Sequence, residues 1–494
     1  MRMDMRGRIR RRLGSTALLM AFVLYSITAC AATPYDSYSY SHKTGEAQAV
    51  LSPAPYVLET IVSGRDLGCE LSAPADLVKG PDNCLYIVDT GNNQIHRLSH
   101  DLKLLQTYTT FLNGGMEDSF KEPQGLYVDQ SGLMYVADAA NHRLVLLRRD
   151  GTLERIIAEP KSELFPEGYI FYPQKITADD AGRIYLIVKN DYNGIMELDS
   201  EGVFVGYVGS SPVQYDPLTM LWKQLMTKAQ REKMVLFLPI EYTNIQMDSQ
   251  GFIFAVSKSK NESQPIKRLN GSGADILERN GYDSSIRGDY GIVSSFVDVC
   301  VDSVGNYSLL DAGKGRIFTY NENGFHLYTF GALGNRKGTF RTPVAIEYLD
   351  DRLLVLDKSM GNITVFTMTE YAALIRQGNQ QYNKGLYAEC RQTWEQVIRM
   401  NANFEFAYMQ IGKALCWEER YEEAMEYFVK GNYRGNQVFE SDGYNKAFVE
   451  YRSALFIHYL PVIMTVVIVV AASIVAIKIV RRVRKRAKSY YNAD

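Results

Sequence analysis

One stretch of sequence recurs about every 50 residues and constrains the fold more than any other feature of this chain. The clearest copy begins at Pro123, turns at an Asp-x-x-Gly segment that ends at Gly132, and runs on to Asp138. Similar copies begin at Pro74 and Pro173. Three weaker copies cover residues 242–256, 296–311 and 343–357. A repeat of this length, built from short strands, predicts one structural unit repeated around an axis or along a line.

Within each copy, the residues favour strands joined by tight turns. Hydrophobic and polar residues alternate on both sides of the turn, and the final glycine supplies the positive φ that other residues resist. Each unit is a small sheet that buries its faces only against neighbouring units. The six copies therefore predict an all-β, six-bladed propeller over residues 56–368. Residues 56–62 read as a strand without a repeat of their own, and we expect them to complete the last blade and close the ring.

The segment Asn141-His142-Arg143-Leu144 resembles the motif that names the NHL-repeat family. Copies four to six lack this portion but keep the strands, and copies four and five also keep the Asp-x-x-Gly turn. The resemblance implies an NHL-like six-bladed propeller. It also favours a role in recognition over a role in catalysis.

The amino terminus has the features of an export signal. A cluster of arginines precedes an apolar run over residues 13–27, which is too short and wrongly flanked for an ordinary membrane span. We therefore predict a signal peptide over residues 1–30. Residues 27–30 resemble a bacterial lipobox, in which Cys30 becomes lipidated, whereas residues 29–31 also fit ordinary cleavage. An uncleaved anchor is the third alternative.

Two segments outside the repeats have distinct compositions. Residues 31–55 are rich in Tyr, Ser, Pro and Ala, and we expect a solvated linker there. Residues 217–234 lengthen the step from the third to the fourth repeat and have the pattern of an amphipathic helix. Packing on its own blade and contact with a protein or lipid are both open for this helix.

The carboxyl terminus reads as a membrane anchor. Residues 459–477 contain no charged side chain, and at about 1.5 Å per residue they cross a hydrocarbon core of about 30 Å. Basic residues begin at Lys478, and such residues stay on the cytoplasmic side. The sequence predicts a transmembrane helix over residues 459–480 and a basic cytoplasmic tail over residues 481–494. The rest of the chain then lies outside a bacterial cytoplasmic membrane, although a buried core helix is the alternative.

Charge and cysteine content narrow the classes of partner. The chain has a formal net charge of −2, but both of its ends are basic, so the part expected outside the membrane is acidic. This balance disfavours a nucleic-acid partner. Six cysteines are too few for a disulfide scaffold. Cys69 and Cys84 lie in one predicted blade and form a candidate disulfide in an oxidising compartment.

After residue 369 the hydrophobic period changes from about 2 to about 3.6, which indicates helices. Helices are predicted over residues 370–382, 387–400, 404–417 and 421–431, and a further helix over residues 441–456. Small or aromatic residues fall where tetratricopeptide (TPR) repeats expect them, so residues 369–456 resemble a short TPR-like module. The resembling positions are Gly385, Tyr387, Ala407, Gly412, Tyr421, Ala424 and Phe428. The proline that usually ends such a repeat is missing. A groove for a peptide and a rigid spacer are both open.

Aligning the repeats brings polar residues to one position near the mouth of the central channel. The candidate ligand-binding residues are Asp76, Gln124, Gln174, Lys175, Asn244 and Asp298. Such a ring is suited to a sugar, a peptide end or a cation, and a solvated, unoccupied mouth is the alternative. We predict no cofactor and no metal, with calcium held by Asp76, Asn244 and Asp298 as the one cation that this set permits.

Little in the sequence points to catalysis. An aspartate recurs at the end of the second strand in four copies, at Asp89, Asp138, Asp311 and Asp357. One catalytic centre does not need the same residue in four blades, so we expect these side chains to accept hydrogen bonds from turn amides. The six histidines do not converge as a zinc site requires. We also find no Gly-x-Ser-x-Gly elbow and no phosphate-binding loop.

These observations predict a membrane-anchored, extracytoplasmic binding or scaffold protein that is not an enzyme. Its partner is expected to be a protein, such as a membrane transport complex, or a cell-envelope glycan. The alternative is an extracellular propeller hydrolase or lyase, lactonase-like and calcium-dependent, that acts at the channel mouth.

Overall fold

The computed structural model describes residues 33–42, 47–209, 242–258, 264–281, 286–290, 294–431 and 442–491. Six sheets in this part of the chain are arranged as the blades of a closed β-propeller, and their innermost strands contact one another in sequence around the ring. The predicted six-bladed, all-β propeller is therefore confirmed. The predicted signal peptide with Cys30 and the predicted helix over residues 217–234 lie outside the described residues.

The strands follow the repeats. Three strands precede the first blade: β1 (Tyr38–Ser41), β2 (Gln48–Leu51) and β3 (Tyr56–Ser63). Blade 1 contains β4 (Asp76–Lys79), β5 (Leu85–Asp89), β6 (Gln94–Leu98) and β7 (Leu104–Tyr108). A hairpin of β8 (Thr110–Asn113) and β9 (Met116–Ser119) follows. Blade 2 contains β10 (Pro123–Val128), β11 (Met134–Asp138), β12 (Arg143–Leu147) and β13 (Leu153–Ile157).

The remaining blades vary more. Blade 3 contains β14 (Pro173–Ala178), β15 (Ile184–Val188), β16 (Ile195–Leu198) and β17 (Phe204–Val208). Blade 4 has three described strands, β18 (Tyr242–Met247), β19 (Ile253–Ser257) and β20 (Ile266–Leu269). Blade 5 contains β21 (Phe296–Val301), β22 (Tyr307–Asp311), β23 (Arg316–Tyr320) and β24 (His326–Phe330). Blade 6 contains β25 (Pro343–Leu349), β26 (Arg352–Asp357) and β27 (Asn362–Met368).

The Asp-x-x-Gly turns adopt one geometry. The Asp129 carboxylate accepts hydrogen bonds from the backbone N–H groups of Ser131 and Leu133, at 2.8 and 3.0 Å. Gly132 has a φ of 87°, which a residue with a Cβ rarely adopts. The same carboxylate bridge recurs at Asp179, Asp248 and Asp302. This local motif explains why the hairpins are readable from sequence.

The asparagine–histidine segment links adjacent blades. His142 closes a 3-10 turn (Ala139–Asn141) with a φ of 54°, and its Nδ1 lies 2.8 Å from the carbonyl oxygen of Phe171 in the loop that leads to blade 3. Asn93 occupies the same place in blade 1, with a φ of 56°, and its side chain accepts a hydrogen bond from the backbone of Glu122. A side chain on a left-handed residue therefore ties each of these two blades to the next.

The ring closes as predicted. Strand β3 pairs antiparallel with β27 and becomes the outer strand of blade 6. A single sheet thus joins an early segment to the last blade, so the ends of the propeller hold each other. Six clusters of buried hydrophobic side chains, one between each pair of neighbouring blades, form the core.

The predicted linker over residues 31–55 requires a correction. Strands β1 and β2 form a hairpin, and β1 pairs with β24, so the linker residues extend blade 5 to six strands. Tyr38 and Tyr40 are buried, and both hydroxyls donate to Asp289 Oδ1, at 2.5 and 2.7 Å. The polar composition of this segment predicts solvent exposure, yet the tyrosine rings bury apolar area while their hydroxyls keep a hydrogen-bond partner.

The helices are α1 (Gly64–Leu67), α2 (Glu370–Asn383), α3 (Tyr387–Met400), α4 (Glu405–Trp417), α5 (Tyr421–Gly431) and α6 (Asp442–Tyr491). Helices α2–α5 lie within one residue of their predicted bounds, whereas α1 was not predicted and α6 continues into the predicted basic tail. The predicted capping helix and the predicted span belong to one continuous helix, α6. Its segment Val449–Arg484 is long and apolar enough to cross a membrane, and none of it is buried in the protein. The TPR-like identity of α2–α5 stays a prediction.

The helices dock directly on blades 5 and 6. Arg376 of α2 donates to Asp351 Oδ1 at 2.5 Å, and Asn379 donates to Asn306 at 3.1 Å. The buried Glu405 of α4 accepts a hydrogen bond of 2.5 Å from the Ser41 hydroxyl. One hydrophobic cluster runs without a break from blades 5 and 6 into the helices. Propeller and helices α2–α5 therefore share one core, which makes the helical module a rigid extension of the propeller.

Candidate functional site

Four of the predicted site residues meet inside the propeller channel. Lys175 Nζ lies 2.5 Å from Asp76 Oδ1, although the two residues are 99 positions apart in sequence. The Asn244 side-chain amide donates to Asp298 Oδ1. All four side chains are buried, with exposed fractions between 3 and 9%. Asp76, Lys175, Asn244 and Asp298 therefore form a polar floor within the channel, and not an open ring at its mouth.

The backbone also holds this floor. Asp76 Oδ2 accepts a hydrogen bond from the N–H of Leu126 at 3.1 Å, and Asp298 Oδ2 accepts one from the N–H of Ile346 at 2.7 Å. Each of these bonds crosses from one blade to the next. The two carboxylates thus couple adjacent blades around the channel axis.

Gln124 and Gln174 do not line the cavity that the other four residues face. Each precedes the floor position by one residue, and the alternation of a strand turns its side chain away. Gly125 holds the floor position in blade 2, where an added Cβ would lie 2.5 Å from the carbonyl oxygen of Gln174. Because the backbone of blade 3 fills this space, the polar set is interrupted there. A ligand-binding role of these two glutamines at the channel mouth stays a prediction.

The cavity below the floor has a volume of about 560 Å³. Side chains two residues beyond the floor positions line its wall: Val78, Tyr127, Thr177, Gln246 and Glu347. Sequence reasoning missed this second tier, although its signal was present, because residues i and i+2 of a strand share a face. Reading the repeat alignment two residues further would have found it.

The wall contains two polar atoms without a partner among the described residues. They are Thr177 Oγ1 and Gln246 Oε1, and both are buried. Thr177 has an exposed fraction of only 2%. A buried polar atom without a hydrogen bond costs about 1–3 kcal/mol. A ligand with hydroxyl groups would remove that cost.

Burial raises the pKa of two acids that face the cavity, Glu347 and Asp298. It raises the pKa of the Glu347 carboxyl to about 7, against the hydrogen bonds that this side chain accepts from the N–H groups of Tyr348 and Lys79. Burial also raises the pKa of Asp298 above its usual range, while the nearby charge of Lys175 opposes that shift. The pKa of the Tyr127 hydroxyl rises to about 12, chiefly by burial, so this ring is neutral.

Three aspartates line the end of the cavity that is farther from the floor. Asp179 and Asp248 lie there, and each pairs with an arginine of its own blade, Arg183 and Arg268, at 2.7 and 2.5 Å. Asp180 also lines this end and is exposed. The rim is thus largely charge-balanced, and the interior is neutral or acidic.

The described residues contain no group of three or more His, Cys, Asp or Glu side chains placed to hold a metal ion. Asp76 and Asp298, the carboxylates named for calcium, lie beside the Lys175 ammonium group, which already neutralises Asp76. A calcium ion at this position would have to displace the lysine.

The strand-end aspartates have the structural role that was predicted. Asp138, fully buried, accepts hydrogen bonds from the N–H of Lys121 at 2.7 Å and from Nε of Arg143 at 2.7 Å. Asp357 accepts from four backbone N–H groups, between 2.6 and 3.0 Å. Asp89 and Asp311 bind the loops before their own blades in the same way. These carboxylates hold loops in place.

The candidate disulfide is wrong. Cys69 and Cys84 are free thiols. Cys84 belongs to the hydrophobic cluster between blades 1 and 2, whereas Cys69 packs on the cluster between blades 6 and 1. The two sulfurs therefore lie on opposite faces of blade 1, and membership of one blade did not bring them together.

One family profile matches part of the chain. The family profile of the NHL repeat matches residues 120–145. No curated protein sequence matches the chain. The solved structures that resemble it include an inactive virginiamycin B lyase from Staphylococcus aureus with quinupristin, at 13% identity and a TM-score of 0.40, which covers 69% of this chain and 97% of the lyase.

Two further structures resemble the chain to a similar degree. A putative gluconolactonase has 12% identity and a TM-score of 0.40, over 64% of this chain and 94% of its own. A protein of unknown function from Bacteroides thetaiotaomicron has 10% identity and a TM-score of 0.41, over 66% of this chain and 80% of its own. Likeness at this level does not extend to activity. The chain is a six-bladed β-propeller that carries an NHL repeat, followed by helices and one apolar helix that is long enough to span a membrane.

Proposed function

We propose that this protein is a membrane-anchored, extracytoplasmic recognition protein whose propeller channel receives a polyhydroxylated ligand, such as the end of a cell-envelope glycan. The observation that carries the proposal is the cavity of about 560 Å³, in which two buried polar atoms lack a partner. The hydroxyls of a sugar can donate to Gln246 Oε1 and exchange hydrogen bonds with Thr177 Oγ1. The neutral ring of Tyr127 offers an aromatic surface beside them.

The state of the acids supports binding over turnover. Asp76 is paired with Lys175, and Asp298 accepts hydrogen bonds from the Asn244 amide and from two backbone groups. These carboxylates are engaged in holding blades together. A general acid or base must instead be able to reach the proton that it transfers.

Anchoring follows from α6. Its apolar segment carries no buried face, and Lys478, Arg481 and Arg482 come at its carboxyl end. By the positive-inside rule this end lies in the cytoplasm and the propeller lies outside. A protein partner in the same membrane, such as a transport complex, fits this arrangement, and crosslinking of the full-length protein in native membranes tests for it.

The glycan proposal is tested with the full-length protein in lipid nanodiscs. Fragments of envelope glycans are titrated by calorimetry into the wild type and the variants Thr177→Val and Gln246→Leu. Each variant is expected to weaken binding about tenfold, which corresponds to about 1.4 kcal/mol. Gln174→Leu is the matched control, because Gln174 does not line the cavity, and it should bind like the wild type. Equal loss in all three variants would contradict the proposal.

One observation favours a second function, a hydrolase or lyase. The Glu347 carboxyl lines the cavity, and its pKa of about 7 suits a general acid or base near neutral pH. The test is turnover of lactones by the purified full-length protein, with and without added calcium. Activity that disappears in Glu347→Gln would establish this function. Absence of turnover together with glycan binding would support recognition.

A further inference from the structure

The two helix hairpins end in exposed apolar and aromatic side chains. Leu386 precedes α3 and has an exposed fraction of 44%, and Trp417 ends α4 with 61%. The ring of Trp417 stacks on that of Tyr387, with centroids 5.1 Å apart and planes 3° from parallel. We call this surface the hairpin tips: Leu386, Tyr387 and Trp417. Leu386 and Trp417 thus expose apolar surface next to a half-buried tyrosine ring, and such a patch is typical of a contact surface.

Contacts between α5 and α6 fix the level of the tips along α6. Residues 419–423, which begin two positions after Trp417, enclose a cleft of about 440 Å³ together with Tyr451, Leu455 and His458 of α6. Tyr459 comes next in α6, and from there the helix carries only uncharged, exposed side chains up to Lys478. At about 1.5 Å per residue, Leu455 lies about 6 Å from Tyr459. The tips therefore lie beside the point where the apolar span begins.

We propose that the hairpin tips rest in the interfacial layer of the bilayer that α6 crosses, so that the protein contacts the membrane at a second place. This inference rests on the membrane anchoring proposed above. Each interfacial layer is about 5–7 Å thick, which matches the distance from Leu455 to the start of the span. Tryptophan and tyrosine prefer this layer, because their rings are apolar and their polar groups stay hydrated. Tyr459 belongs to the same aromatic belt.

The charges near the tips specify the kind of lipid. Residues 418–423 include four glutamates. Arg391 and Arg420 each pair with Glu418, and Arg420 also pairs with Glu423, at distances between 2.6 and 3.3 Å. Glu419 and Glu422 are exposed. The surface is therefore slightly acidic, and we expect it to contact zwitterionic headgroups through its rings, and anionic lipids more weakly.

The contact has a consequence for the whole molecule. Propeller and helices α2–α5 share one core, so a body held both at α6 and at the hairpin tips cannot swing freely about the membrane. The channel is then presented at a fixed angle and height above the bilayer. A single flexible tether would not achieve this.

The experiment uses the intrinsic tryptophan fluorescence of the full-length protein in phosphatidylcholine vesicles. Lipids brominated near the top of the acyl chains quench a tryptophan in the interfacial layer. The chain has three tryptophans, of which Trp394 is fully buried. We expect quenching in the wild type, loss of the part that Trp417 contributes in Trp417→Phe, and retention of that part in the matched control Trp222→Phe. Vesicles with anionic lipid should reduce the quenching.

Two further measurements separate the possible failures. Retention of the protein in vesicles after alkaline extraction reports on membrane anchoring, and loss of retention would overturn the anchoring itself. Retention without bromolipid quenching, with Trp417 quenched by aqueous acrylamide, would overturn only the contact at the tips. Leu386→Glu alters an exposed side chain, so the variant should fold. It is expected to reduce the quenching of Trp417 by lifting the tips from the layer.

Discussion

The propeller contains two sets of buried acids that differ in kind. At the ends of the second strands, Asp89, Asp138, Asp311 and Asp357 repeat one role, in which a carboxylate binds the backbone of a loop in its own blade. Along the channel, Asp76, Asp298 and Glu347 have three different environments, and each of them binds residues of another blade. The repeated strand-end aspartates thus stabilise the fold, whereas the candidate site contains acids whose environments differ from blade to blade.

The largest expected effect comes from removing the carboxylate of one strand-end aspartate. In Asp138→Ala, the N–H of Lys121 and the side chain of Arg143 lose a buried partner, so unfolding should become easier by about 3–5 kcal/mol. Chemical denaturation of the full-length protein in detergent measures this change. Asp180→Ala, at an exposed rim position, is the control and should stay within about 0.5 kcal/mol of the wild type.

The next effect concerns Glu347, one of the acids along the channel, and it is a change in stability that depends on pH. The pKa of Glu347 is about 7 in the folded protein, above the usual value of 4.5, so the folded state holds its proton where the unfolded state has lost it. Stability from this group therefore falls as pH rises from about 4.5 to 7, and the loss is complete above 7. Glu347→Gln should resemble the wild type at pH 5 and exceed it at pH 8 by on the order of 3 kcal/mol.

The comparison between wild type and variant is made at each pH, because other groups titrate as well. Burial lowers the pKa of His326 to about 3, and this shift acts in the opposite direction below pH 6.5. The difference between the two proteins cancels such contributions. An equal difference at pH 5 and pH 8 would show that Glu347 does not titrate in this range.

A smaller effect tests why the polar floor is interrupted in blade 2. Gly125→Ala places a Cβ 2.5 Å from the carbonyl oxygen of Gln174, so the inner strands of blades 2 and 3 must separate. We expect a destabilisation of about 1–3 kcal/mol, as for overpacking elsewhere in protein cores. Gly206→Ala in strand β17 is the control, because an added Cβ there meets no atom within 4 Å. Similar losses in both variants would mean that the close approach is not the cause.

The smallest expected effect is that of calcium. If Asp76, Asn244 and Asp298 bound calcium with a dissociation constant of about 1 mM, then about 10 mM would stabilise the fold by about 1.4 kcal/mol. Because Lys175 neutralises Asp76 in the floor, we expect a shift in the thermal midpoint of less than about 1 °C. A larger shift in the wild type that disappears in Asp298→Asn would reveal a calcium site.

Local features were predictable because local contacts produce them. The Asp-x-x-Gly turns, the strand-end aspartates and helices α2–α5 depend on residues within about 20 positions of one another, and each was expected before the fold was seen. Strand β3 was also placed correctly, because the last blade lacked an outer strand. The pairing of the hairpin β1–β2 with blade 5 was not predicted, because that blade already had four strands and the sequence contains no signal for further strands.

The candidate site was only half predictable for the same reason. The repeat alignment found Asp76, Lys175, Asn244 and Asp298, since equivalent positions lie around one axis. It included Gln124 and Gln174, whose side chains the strand turns away, and it overlooked Thr177, Gln246 and Glu347 in the next tier. A repeat alignment gives the height of a residue in the channel. It does not give which side chains remain in contact once the blades pack.

The sequence by itself determined the number of blades, the turns and the order of helices, because each depends on the spacing of residues along the chain. Only the tertiary structure decided that Lys175 pairs with Asp76 over 99 positions, and that Cys69 and Cys84 lie on opposite faces of one blade. The same holds for the level of the hairpin tips beside the apolar span. Such relations depend on how blades and helices pack against one another, and packing joins residues whose separation in sequence carries no signal of their contact.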